Sequence, residues 1–487
     1  MRKTYLLIAL LVPTIFNAQG VSIDQNFGTN GITEMPFDSS GNDLSSCVLL
    51  SSGKILFLST KINGSNQNEV FLCRLDSNGA IDNTFGNNGF AYPNLQYYHG
   101  NFIKVQTDDK ILIYGGSNPA KLIRLNSDGS YDMSFATNGI FELPTNSYHS
   151  EDDSLFSGNN LLIQNNGSII LRYVQGLNGV ITLKKIDSNG IADNSFGTNS
   201  TITNISSKGI FISNDSKIIG FSSTTTNYTI EKFNLNGTID STFGTNGTMT
   251  INLPYTDFET KFIKQDDLGR LLVHKFNFNT TPALLFDAFR LNSNGTIDTT
   301  FGTNGYISFS DFQIFIVSNV LVDNNYYFGG ATIESNDIYN LFIIKYHENG
   351  TLNTNFNNLG YKIENTNNTK QACESINIQT DGKILVSGES ENGSTKKLFL
   401  MRYVDQNLSM NTFNTNSLKI INPINETITI DSEDEIEKIS IIGTDGKLII
   451  ETKRKLINTS KLSKGIYILN LKFKNENKVY TNKIIKK

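Results

Sequence analysis

Oxygen-bearing side chains at fixed spacing are the first candidates for chemistry in this sequence. Asp76, Asn78 and Asp82 stand close together, and Asp187, Asn189 and Asp193 repeat their spacing. Such sets have the oxygen content of a calcium loop. Calcium, however, takes about six to eight oxygens with a bidentate carboxylate among them, and no Glu stands where one would close the loop. Asx-Gly sequences also make tight turns in which Asp accepts from nearby backbone N–H groups. The turn is the preferred reading, and no metal or other cofactor is expected.

The remaining reactive residues are scattered. His99, His149, His274 and His347 show no metal-ligand spacing. Cys47, Cys73 and Cys373 are odd in number and are read as small core residues. No Gly-x-Ser-x-Gly elbow is present. Two carboxylates suffice for glycoside hydrolysis, and residues 20–421 hold 37 Asp and Glu, so a secreted carbohydrate-active enzyme stays open as the alternative function. Trp is absent, which weakens sugar stacking, although Tyr97, Tyr98, Tyr326 and Tyr327 offer rings.

What must position these residues is a repeat. The anchor Phe stands at Phe27, Phe85, Phe135, Phe196, Phe243, Phe301, Phe356 and Phe413, at intervals of 47 to 61 residues. Three residues before it comes Asp24, Asp82, Asp132, Asp193, Asp240 or Asp298, then Asn353, and at the last anchor Met410. Eleven before it is always a cation: Arg74, Arg124, Lys185, Lys232, Arg290, Lys345 and Arg402. The cation could bind an anionic ligand or pair with the Asp eight residues on, and the structural reading is favoured because a repeated residue is usually scaffold. Where Asp becomes Asn353 or Met410 the cation persists, so that pairing is not its whole explanation.

Each unit reads as four short strands. In the first these are Ile32–Phe37, a strand around Cys47–Leu50, its hairpin return Lys54–Ser59, and Val70–Leu75. Asx-Gly turns between β-rich runs are strong hairpin signals. Cys47 and Cys73 then lie on the second and fourth strands, too far apart for a disulfide. Four antiparallel strands in each unit, repeated seven times, predict an all-β, seven-bladed β-propeller; a β-solenoid is the other repeat architecture weighed.

The composition agrees. The 487 residues include 63 Asn and 39 Gly, with 38% hydrophobic, 10% aromatic and 18% charged. That describes a folded, turn-rich chain. A net charge of −5 argues against a nucleic-acid partner.

The pattern Asn-Gly-x-Ile-Asp-x-x-Phe-Gly-Thr-Asn-Gly, with Asp-Gly-Lys-Ile-Leu downstream, resembles the delta-60 repeat of bacterial exported proteins over about Val21–Phe413. The resemblance implies a propeller-like fold and carries no assigned activity. Ala136 after its anchor and Asn199-Ser200 in place of Asn-Gly depart from the pattern.

A different segment begins near Ile421. Residues 20–421 carry a net charge of −11 and residues 422–487 a net charge of +4. The tail contains strands and turns enough for a compact β-sandwich of its own. Asn422-Pro423, Gly446-Lys447, the Leu462–Tyr467 segment with Gly465, and the basic end at Lys483 resemble the type A C-terminal sorting domain of type IX secretion substrates. That resemblance implies the type IX machinery as a partner, passage through the outer membrane, and surface attachment or release. A fibronectin-like adhesive module is the bland alternative.

At the other end, Arg2 and Lys3 precede the apolar run Tyr5–Phe16, and Asn17-Ala18-Gln19 offers a cleavage site. Residues 1–18 read as a signal peptide, with no later transmembrane segment. The domains expected are the signal peptide, a propeller over residues 19–421 and the sorting sandwich over 422–487. The expected function is non-enzymatic binding, adhesion or display at the cell surface or outside it, toward an unknown glycan or protein.

Overall fold

A computed structural model of the chain describes residues 20–38, 46–62, 68–95, 102–116, 118–148, 160–176, 179–207, 209–223, 227–252, 258–277, 286–334, 338–364, 370–392, 395–405, 419–420, 426–431, 436–443, 447–474 and 479–486. Residues 1–18, Met410, Phe413, Asn422, Pro423 and Gly446 lie outside them, as do Tyr97, Tyr98, His99 and His149. The chain divides into two compact units, Met1–Ser409 and Met410–Lys487.

Short apolar runs form the strands. In Ile111–Gly115 all five residues are buried, because both faces of the sheet pack on neighbours and period-two alternation is not required. Asx-Gly turns separate the runs. At Gly86 the backbone has φ +52, and a Cβ there would lie 2.1 Å from the Phe90 carbonyl oxygen, so only glycine fits.

The described residues of the first unit form seven antiparallel sheets of four or five strands. Sheet one runs Ser46–Leu49, Ile55–Ile62, Asn68–Leu75, Phe90–Ala91 in spatial order. Sheet two begins with Phe102–Val105, sheet three with Leu161–Ile163, and sheet four with Gly209–Ile212. Sheets five, six and seven begin with Phe258–Gln265, Ile314–Val322 and Lys370–Ile378. These leading strands touch one another in turn, with Ile218–Ser223 making the link from sheet four to sheet five. The leading strand of sheet seven returns to that of sheet one, which closes a ring. The hydrophobic clusters lie between successive sheets, as in Leu56, Leu72, Ile113 and Ile123 between sheets one and two. This is a β-propeller.

Sheet seven shows how the ring is closed. Its own strands are Lys370–Ile378, Ile384–Asn392 and Thr395–Asp405, and the N-terminal strands Val21–Ile23 and Ile32–Asp38 both pair with the last of these. The sequence repeat and the sheet are therefore out of phase. Ile32–Phe37, read from sequence as the opening strand of the first unit, is the outer strand of the last sheet. The same holds along the chain: Phe90–Ala91 follows the anchor Phe85 yet completes the sheet before it.

The second unit has two sheets. Lys419–Ile420, Thr427–Asp431 and Leu456–Asn458 form one; Leu448–Thr452, Ile436–Gly443, Gly465–Phe473 and Val479–Lys486 form the other. Ile428, Ile430 and Ile457 of the first pack with Ile439, Ile441, Leu469 and Ile484 of the second, a small sandwich with its own core. It takes in Lys419–Ile420, upstream of the charge boundary read from sequence.

Candidate functional site

The repeated cation, Asp and Phe come together between adjacent sheets. Arg74 donates from Nε to Asp82 Oδ2 at 2.8 Å and from an Nη to Thr84 Oγ1 at 3.0 Å. Its other Nη donates to the Ser127 carbonyl of the next sheet, and its guanidinium stands 4.8 Å from the Phe85 ring centroid. The turn after the anchor grips the same neighbour, with Gly86 N donating to the Asp128 carbonyl at 2.7 Å. One module thus ties sheet one to sheet two by charge, hydrogen bond and cation–π contact.

The module recurs. Arg124 bonds Asp132 and the Ser188 carbonyl over Phe135. Arg290 bonds Asp298 and the Glu348 carbonyl over Phe301. Lys185 pairs with Asp193 at 3.0 Å and stands 5.9 Å from Phe196. Arg402 completes the circuit: it bonds Asp24 at 2.9 Å and the Ser77 carbonyl, over Phe27. This resolves the exception at Met410. The last cation uses the first anchor in the sequence, Phe27. Phe27, Phe85, Phe135, Phe196, Phe243, Phe301 and Phe356 are all buried.

A second cation, not singled out in the sequence, approaches the same carboxylates. Lys54 reaches Asp82 at 2.7 Å, Lys110 reaches Asp132 at 3.0 Å, Lys217 reaches Asp240 at 2.8 Å and Lys383 reaches Asp24 at 3.4 Å. Each stands just past the hairpin turn between the first two strands of its sheet. The available signal was the Gly-Lys or Gly-Arg pair at Lys54, Arg270 and Lys383. Where Asp becomes Asn353, the hairpin residue is Asn325, which accepts from the Asn353 amide at 3.1 Å. Charge has been lost on both sides together. Lys345 pairs instead with Asp405 at 3.1 Å, and Lys232 pairs with Asp215 at 2.9 Å.

These contacts set the electrostatics. Burial raises the pKa of Asp82 and Asp132, but hydrogen bonds from Thr84 or Ser134 and the paired cations outweigh it and hold both well below the usual carboxylate range. The Lys217 and Thr242 hydrogen bonds hold Asp240 at about 2. These carboxylates are ionised, saturated and enclosed, a poor state for a general acid or nucleophile.

The other candidates are likewise committed. Asp76 Oδ1 accepts from Asn78 N and Ala80 N at 2.8 and 3.0 Å. Asp187 Oδ1 accepts from Asn189 N and Ile191 N at 2.8 Å each, and the Asn78 and Asn189 carbonyls accept from Gly28 and Ala136. Among the described residues, no three His, Cys, Asp or Glu gather as a metal set. Tyr326 and Tyr327 are buried, which removes them as sugar-stacking platforms, and His274 packs 6.0 Å from Phe328. Cys47, Cys73 and Cys373 are free and buried; burial pushes the Cys73 thiol up to about 12.

In the second unit Gly465 opens a strand, Tyr467 Oη donates to the Ser463 carbonyl at 2.8 Å, and Lys483 pairs in register with Ile468.

Residues 422–487 match the secretion system C-terminal sorting domain, and residues 50–85, 106–135 and 288–301 match a β-propeller domain of unknown function, DUF5122. The protein is a β-propeller with a type IX sorting domain. That domain marks it for export to the cell surface or the extracellular space, and the type IX machinery is the partner it implies. No curated protein matches the sequence. Solved structures that resemble it include a puromycin hydrolase, at 10% identity and TM-score 0.43, which covers 90% of this chain. The chain spans only 60% of that hydrolase. The Dos1 propeller matches at 10% identity over 75% of this chain and 94% of its own, with TM-score 0.40. An ulvan lyase, polysaccharide lyase family PL25, matches at 10% identity over 76% and 96%, with TM-score 0.43. Among the described residues, no helix is long and apolar enough to cross a membrane.

Proposed function

We propose that this protein is a surface-displayed or released binding module, a seven-bladed ring that engages an extracellular glycan or protein without transforming it. The observation that supports this reading is the fate of the repeated charges. The carboxylates at fixed spacing, which any catalytic reading would draw on first, are engaged by scaffold cations and hydroxyls. In this reading residues 1–18 are the signal peptide, and the repeated Phe, Asp and Arg are scaffold. The test is a glycan and protein array probed with the purified full chain, run beside assays for reducing ends and unsaturated uronates on the polysaccharides that bind. Saturable binding with no product is expected. Turnover of any bound polysaccharide would reject the reading in favour of a carbohydrate-active enzyme.

A further inference from the structure

Two lysines stand at the same level on leading strands of the ring. The leading strand of most sheets ends at a residue whose N–H opens the hairpin bond: Leu50 to Lys54, Gln106 to Lys110, Asp266 to Arg270. Counting back two residues reaches Val48, Lys104 and Lys264, and the same count reaches Leu162, Phe211 and Asn377. In sheet six the pairing of Val322 with Asn325 places Val320 there. Together these form one layer around the axis. Six of the seven positions keep partial solvent exposure, Leu162 being buried, while the preceding residue on each strand is buried wherever its side chain is described. The residue after each, from Leu49 to Ile378, is partly exposed as well, so the leading strands together border an accessible space about the axis.

Lys104 and Lys264 are the charged residues in this layer, and neither has an ion-pair partner among the described residues. Their sheets are separated by two others, and both side chains are partly buried. Burial lowers Lys104 to about 8, and the nearby charge of Lys264 adds to the effect; burial lowers Lys264 as well. Two like charges held in such a place oppose folding. Val48, Leu162, Phe211 and Val320 stand at the same level and pack into the clusters between sheets, and Asn377 adds an amide. Asn377 already donates to the Cys47 carbonyl and so stands as a fixed dipole beside the space.

We propose that the centre of the ring is an anion site in which Lys104 and Lys264 together hold a compact oxyanion of charge −2, such as inorganic sulfate or a dicarboxylate. The inference rests on the binding-module reading and names a ligand class for it. Two ammonium groups converging from different walls match two negative charges, and the apolar surroundings strengthen each contact.

The test is calorimetric titration of the full chain with inorganic sulfate and with succinate, using chloride as control, on wild type, Lys104→Met and Lys264→Met. Saturable binding of at least one dianion is expected, with affinity at least tenfold weaker in each variant. Without ligand, both variants are expected to melt above wild type, because a desolvated like charge has been removed. That readout also shows that they fold, and Lys104→Gln or Lys264→Gln replaces the Met variant at its own position where that one does not. The two anions distinguish inorganic sulfate from a dicarboxylate. No saturable heat with either dianion, or affinity unchanged by both substitutions, would overturn the site. A glycan or protein that binds wild type and both variants equally would overturn the channel site and leave the binding-module reading standing; oxyanion binding accompanied by turnover of a polysaccharide would do the reverse.

Discussion

Asp298 and Arg290 show what a single residue of the module contributes. Arg290 is only 2% exposed, and its partners are Asp298, the Glu348 carbonyl and the Phe301 ring. Neutralising one member of such a pair strands the other in the interior. Asp298→Asn is therefore expected to cost about 3–5 kcal/mol, read from denaturant midpoints. The double replacement Arg290→Met with Asp298→Leu should recover much of that loss, since an apolar pair of similar volume carries no desolvation cost. The pH dependence follows from the same residues. Asp24, Asp82, Asp132, Asp193, Asp240 and Asp298 all have pKa values below the ordinary carboxylate value. The unfolded chain, with Asp near ~3.9, binds protons before the folded one does, so the stabilisation is complete above that value and lost as pH falls through the folded pKa. Thermal midpoints should be flat above pH ~5 and fall steeply between about pH 4 and pH 2. Asp240→Asn should shallow that acid limb, and an unchanged limb would show that other groups govern it.

At the scale of elements, the decisive feature is closure by the N-terminal strands. Val21–Ile23 and Ile32–Asp38 complete sheet seven, and Asp24 and Phe27 complete the Arg402 module. Deleting residues 20–38 removes both at once. It leaves an unpaired edge along Thr395–Asp405, a template for pairing with another chain. The expected result is a large fall in melting temperature together with aggregation on size exclusion. A monomeric, cooperatively melting deletion variant would show that the ring holds without its closing strands. The repeat period, the turns and the strand count were all legible in the sequence, because Asx-Gly turns and short apolar runs are local signals. The phase between repeat and sheet was not. Nothing local says whether a strand after a turn pairs backward or forward.

At the scale of the whole molecule, the two units have separate cores and separate tasks. Among the described residues, the hydrophobic cluster of the sorting unit draws on Ile428 and later residues, and the last strand of the ring ends at Asp405. Truncation after Ser409 should therefore leave a folded ring, with circular dichroism and melting preserved, that the cell retains in the periplasm. Assays of periplasm, surface and medium in a host with type IX machinery would show this. Normal delivery of the truncated chain would refute the sorting role. Joint loss of delivery and folding would mean that the tail stabilises the ring.

The sequence by itself determined the all-β class, the repeat with its buried Phe anchors, the existence of a separate tail and the export route. These are written in periodicity, turn chemistry and composition, which act over a few residues or over a whole segment. The pairing of Arg or Lys with the Asp eight residues on was legible in the repeat, whereas the tertiary structure alone decided which charges meet at long range. Arg402 and Asp24 stand 378 residues apart, and Lys345 finds Asp405 across 60. Lys104 and Lys264 share a level only because the ring brings their strands around one axis. Spacing along a chain constrains near neighbours, whereas closing a ring makes neighbours of residues that no local pattern relates.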